Sequence, residues 1–153
     1  MNYERYYSCD VLNGEGLRVT LFVMGCAHAC PGCYNPSTWN RLDGLPFTDQ
    51  VRDEILDLCE YHDGLSLTGG DPLLPANREA IADLCRRFKL RYPDKDIWLW
   101  TGYRHEDIAD LPLLQDVDVL IDGRYEQDQP NTLPWRGSDN QRLIRLYPGS
   151  QAV

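Results

Sequence analysis

Apolar positions along the chain recur in two rhythms, and these lay out most of the elements. "LRVTLFVMG" is an unbroken apolar and β-branched run that reads as a buried strand ending at Gly25. "GLSLTGGDP", "DIWLW" and "VDVLIDG" read as further strands, each stopped by glycine or a turn. "DIWLW" is apolar on both sides of the pleat, as a central parallel strand should be. Between the strands the period changes to that of a helix. Val51, Ile55, Leu58 and Cys59 predict a helix capped by Thr48 and running to about Tyr61. Ile81, Leu84, Cys85, Phe88 and Tyr92 predict a second, capped by Asn77 and ended by Pro93, and a shorter third covers roughly His105 to Gln115. Asn13-Gly14-Glu15-Gly16 reads as a turn between extended segments, and Leu143–Leu146 as one more strand.

Strand–helix alternation of this kind predicts an α/β fold with a mostly parallel sheet. No repeat, low-complexity segment or linker divides the chain, so residues 1–153 are expected to form a single domain. An eight-unit barrel typically needs about 250 residues. With 153 residues, any TIM-like barrel of parallel strands has to be incomplete and open at one side.

Composition narrows the function. Fifteen Lys and Arg against 24 Asp and Glu give a net charge of −9, which argues against a phosphate-tracking, nucleic-acid-binding surface. No segment has the roughly 20 consecutive apolar residues of a membrane span. "MNYERYYSCD" lacks the apolar stretch of a secretion signal, so a cytoplasmic location is expected. In that compartment, clustered cysteines point to metal or redox chemistry rather than disulfides.

The cluster is Cys26, Cys30 and Cys33 in "MGCAHACPGCYN", directly after the first buried strand. Zinc at a structural site takes four ligands, and His28 or Cys9 would have to complete the set. A [4Fe-4S] cluster held by three cysteines leaves one iron without a protein ligand, open to a small molecule. The Gly69-Gly70-Asp71, Thr101-Gly102-Tyr103 and Asp122-Gly123 segments also follow strand ends, where parallel α/β folds bind ligands. The last two are equally readable as plain strand exits. His28 reads as an exposed loop residue, Cys59 and Cys85 as core. Arg136–Arg142 reads equally well as a docking surface or a structural tail.

The Cys-x3-Cys-x2-Cys spacing after a first strand resembles the radical S-adenosylmethionine enzymes. Many of these carry an aromatic residue just before the third cysteine; here Gly32 stands there and Tyr34 follows. "NGEG", "GCAHACPGCYNPSTW", "LTGGDPL", "DIWLWTGY", "VLIDGRY" and "WRGSDNQR" together resemble the activating proteins of anaerobic (class III) ribonucleoside-triphosphate reductase, from about Asn2 to Arg142. The resemblance implies a glycyl-radical-enzyme activase. In that family S-adenosylmethionine chelates the open iron, is cleaved reductively to a 5′-deoxyadenosyl radical, and this radical takes a hydrogen atom from a glycine of the reductase. It implies Cys26, Cys30 and Cys33 as iron ligands, and Gly32, Cys33, Tyr34, Gly69, Gly70 and Asp71 as bordering the cofactor. It also implies a flavodoxin-type electron donor. The rival readings are an activase of another glycyl radical enzyme, such as pyruvate formate-lyase, and a non-catalytic zinc-binding module.

Overall fold

The computed structural model describes residues 1–146. Its strands are β1 (Asn2–Asp10), β2 (Arg18–Val23), β3 (Leu45–Pro46), β4 (Gly64–Gly69), β5 (Asp96–Trp100), β6 (Val119–Asp122) and β7 (Arg142–Arg145). They form one seven-stranded sheet in the order β3-β1-β2-β4-β5-β6-β7. The expectation of a mostly parallel sheet holds for its centre alone. β2, β4, β5 and β6 pair in parallel, whereas β1 and β3 at one side and β7 at the other pair antiparallel. The reason is the connections. Residues 11–17 are a loop too short for the crossover that parallel neighbours need, so β1 turns back onto β2.

Three helices fill the crossovers: α1 (Asp49–Leu58), α2 (Arg78–Arg91) and the short α3 (His105–Ile108). Thr48 caps α1 as expected, its side chain accepting from the Val51 amide. Asn77 stands at the N-cap of α2 as expected, but its side chain makes no capping bond. Its side-chain amide donates to the carbonyls of Met24 (2.9 Å) and Asp71 (3.1 Å), tying the end of β2 to the segment after β4. Those carbonyls are buried and need a donor, a stronger demand than an optional cap. The predicted third helix is cut short. Pro112 pushes Leu111 into an extended conformation, and the chain resumes as a 3-10 turn over Pro112–Asp116.

Both long helices pack on the same face of the sheet. Val19, Leu21 and Val23 of β2, Leu65 and Leu67 of β4, Ile97 and Leu99 of β5, and Leu120 of β6 meet Ile55 and Leu56 of α1 and Ile81, Leu84, Cys85 and Phe88 of α2 in one core. Alternate residues of the same strands face the other way. There Trp98, Val119 and Ile121 form a smaller cluster with Trp100, Trp135 and Leu143.

The second face also buries a charge. Arg18 is fully buried: its guanidinium donates to Ser66 Oγ and to the carbonyls of Glu15, Leu65 and Asp96, and Nη1 lies 2.7 Å from Asp96 Oδ1. Stacked near the Trp98 ring, it closes the end of this face away from the strand carboxyl ends. Arg18→Ala leaves several acceptors without a donor and is expected to lower folding stability by about 3 kcal/mol, read as a shifted midpoint in urea denaturation.

Candidate metal and cofactor site

The carboxyl ends of β2, β4, β5 and β6 open into a cleft of about 430 Å³, within the range of small-molecule sites. Cys26, Cys30 and Cys33 all line it, on a loop that leaves β2 through Gly25. The loop is held by its backbone: Gly25 N–H donates to Thr38 O, Cys26 N–H to Trp39 O, and Cys33 N–H to Cys30 O. Each thiol is half-buried. Burial pushes the Cys26 thiol up to about 11, and raises Cys30 likewise. Such thiols keep their protons until a cation replaces them. None of the other three cysteines reaches the cleft. Cys9 is exposed on β1, and Cys59 and Cys85 are buried in the main core, as the sequence predicts.

The glycine pair after β4 is required by the chain's own packing. A side chain at Gly70 would strike Gly25 O at 2.6 Å, and one at Gly69 would strike the Val23 backbone at 2.5 Å. The absence of side chains lets Gly70 N–H donate to Val23 O and Asp71 N–H to Gly25 O, so the end of β4 is sewn to the root of the cysteine loop. Both glycines line the cleft.

Asp71 is the hub of the site. Its carboxylate is almost wholly buried and accepts from the Leu73 amide, Thr101 Oγ1 and the Gly102 amide, while Oδ2 lies 2.7 Å from His28 Nε2. This joins the ends of β4 and β5 to the cysteine loop. His28 is therefore not the exposed residue expected of it. Its side chain is 5% exposed, with its ring edge-on to Tyr103, and Gly102 is small because a Cβ there would meet the His28 ring at 2.4 Å. A histidine flanked by two ligand candidates, with an aspartate after the next strand, was the available signal. Only the fold shows that they meet.

The remaining candidates separate. Thr101, Gly102 and Gly123 line the cleft; Asp122 does not, being buried and bonded to the Arg142 guanidinium and the His105 amide. Tyr34 stands at the rim, 67% exposed, with its ring against Tyr125, while Gly32 turns toward the Gln127 side chain. Asn13, in the loop read as a plain turn, also lines the cleft. The Arg136–Arg142 segment folds back on the sheet. Gln141 accepts from the Gly137 and Ser138 amides and donates to Gly123 O, and Trp135 O accepts from Trp100 Nε1. These residues form one wall of the cleft.

A family model described as a 4Fe-4S single cluster domain matches residues 12–144. Anaerobic ribonucleoside-triphosphate reductase-activating proteins match over almost the whole chain. The protein of Enterobacteria phage T4 is 57% identical over 145 residues, covering 94% of this chain and 93% of its own. Those of Vibrio cholerae and Escherichia coli K12 are 49% and 47% identical over 153 residues, each covering 95% of this chain and 99% of its own. The chain belongs to this family of activating proteins. The donor set fits the family's cluster better than a lone zinc ion. The ligand atoms that crowd within 4.8 Å of one another are those of Cys26, His28 and Asp71, a trio that omits Cys30 and Cys33 and whose carboxylate is already committed to three donors of the chain.

The hub carries a graded expectation for the metal-free protein. Asp71→Ala strands four partners and should lower stability by about 2–3 kcal/mol, whereas Thr101→Val, which removes one hydroxyl, should lower it by about 1 kcal/mol, both read by urea denaturation.

Proposed function

We propose that this protein is a radical S-adenosylmethionine activase that installs a glycyl radical on an anaerobic ribonucleoside-triphosphate reductase. The observation that carries the reading is that three thiols of one short loop, and no fourth, open into a cleft at the carboxyl ends of the parallel strands. The relatives' names supply the protein substrate. When bound, a [4Fe-4S] cluster and S-adenosylmethionine supply one-electron cleavage to a 5′-deoxyadenosyl radical that abstracts hydrogen from a glycine of the reductase.

The chain's own part is to hold and to exclude. Cys26, Cys30 and Cys33 are the cluster ligands, and leave one iron for the cofactor. Gly69 and Gly70 present backbone rather than side chain to it, and Gly32 and Tyr34 border it at the rim. Asp71 borders the cofactor from the same wall of the cleft and fixes Gly102 and His28. Trp100, Trp135 and Gly137 wall the cleft, keeping water from a reactive intermediate. The architecture is an incomplete TIM-like barrel. This is supported by helices on one face of the sheet only, with the second face leading into the cleft. The open side of such a barrel is then the way in for a peptide glycine. A flavodoxin-type protein is the electron donor, and the setting is the cytoplasm; no described helix is long and apolar enough to cross a membrane.

Anoxic reconstitution tests this. The protein should bind about four irons per chain, and its reduced electron paramagnetic resonance signal should change on adding S-adenosylmethionine. The reductase should then acquire a glycyl radical. A colourless protein retaining only zinc, or a radical formed on pyruvate formate-lyase instead, overturns the reading. Cys30→Ala should abolish cluster retention, and Cys85→Ala, confined to the core, should leave iron content and cofactor cleavage largely intact.

A further inference from the structure

The loop between β1 and β2 turns apolar residues outward. Val11 is 65% exposed and its neighbour Leu12 79%. Their backbone is nevertheless fixed. The buried Asp10 carboxylate accepts from the Leu12 amide (2.9 Å), Asn13 Nδ2 (2.6 Å) and Thr20 Oγ1 (2.7 Å), and Ser66 Oγ donates to Asn13 O (2.6 Å). The bond to Ser66, on β4, folds the loop back over the second face of the sheet, where Leu12 and Asn13 both line the cleft. Polar groups of this loop are spent inward, and two aliphatic side chains are held out in water.

The same surface continues onto β1. Phe22 lines the cleft, and its ring meets that of Tyr7 edge-on at 5.1 Å. Tyr7 lies beyond the cleft and is 42% exposed. Arg5 holds it in place: Nε donates to the Tyr7 hydroxyl (3.1 Å), and the guanidinium lies 4.3 Å from the centre of the Phe22 ring. A lone exposed leucine is ordinary, and Leu90, on the helix-covered side of the sheet, is one. Beside the cleft, aliphatic, aromatic and arginine side chains adjoin one another. That is the composition of a protein-binding surface, and its fixed backbone reduces the ordering entropy that binding would cost.

The position of Leu12 says what covers this surface. Leu12 is part of the cleft wall and also the most exposed residue of the patch. A polypeptide that reaches into the cleft past Leu12 therefore lies across Val11 and the Tyr7 ring, whereas a second copy of this chain seated there would obstruct the cleft. We propose that the reductase docks on this β1 side of the cleft, packing apolar side chains near its glycine onto Val11, Leu12 and Tyr7. This rests on the reading that the reductase delivers a glycine to the cleft, and adds where the partner is held.

The test is equilibrium binding of the anoxically reconstituted protein to the reductase, with S-adenosylmethionine affinity, iron content and self-association by sedimentation measured alongside. Leu12→Ser and Tyr7→Ser should each raise the Kd for the reductase about tenfold. Leu90→Ser should leave it within about twofold. Tyr7 is the discriminating position, being outside the cleft: Tyr7→Ser should keep the parent's iron content and S-adenosylmethionine affinity. Leu12→Ser removes an exposed side chain and should leave the urea midpoint unchanged. Unchanged reductase affinity in both variants overturns the assignment, as does an equal loss in Leu90→Ser. So does loss of S-adenosylmethionine affinity in step with reductase affinity, which would assign the patch to the cofactor. Loss of self-association with reductase affinity intact assigns it to a second copy and equally overturns the proposal. If the parent protein itself neither binds the reductase nor gives it a glycyl radical, the functional reading falls and this one with it; an effect confined to the variants bears on the patch alone.

Discussion

The site depends on one buried carboxylate. Amides, a hydroxyl and an imidazole from three segments of the chain converge on the Asp71 carboxylate. A buried anion is tolerable only when its lone pairs are filled, so each donor is obliged to stay. That obligation fixes the ends of β4 and β5 and the middle of the cysteine loop relative to one another. A loop bearing three thiols would otherwise have little to define it, since its residues are half-buried or exposed.

Close backbone approach completes this constraint. The end of β4 can hydrogen-bond to the root of the cysteine loop because Gly69 and Gly70 have no side chains to intervene, and His28 can reach Asp71 because Gly102 has none. The glycines around the cleft therefore do two tasks at once. They let the framework close on itself, and they leave backbone instead of side chain facing the space where a ligand is expected.

The sheet divides labour between its faces. One face meets α1 and α2 through aliphatic side chains and carries most of the hydrophobic stabilisation. The other is heterogeneous, with Arg18 and Ser66 toward one end and the tryptophan cluster and cleft toward the other. Segment 123–141 crosses this second face without regular structure and is held by side-chain-to-backbone bonds from Gln141, Asn140 and Ser138. It leads into β7, and Gln141, Ser138 and Asp139, ambiguous in sequence, make bonds that hold the segment in place.

The sequence alone determined the periodic elements, the Thr48 cap, the burial of Cys59 and Cys85, and the spacing of three thiols at a strand end. Each of these is written in neighbouring residues, because helical and strand periods and loop ligands are local. Tertiary structure decided what depends on distant partners. It set β1, β3 and β7 antiparallel, turned the Asn77 side chain from capping to the Met24 and Asp71 carbonyls, and buried His28 against Asp71 across 43 residues of chain. Pro112, legible in sequence yet outweighed by the apolar period around it, broke the third helix. Buried polar groups must find partners wherever the fold brings donors and acceptors together, and no local pattern records which ones will meet.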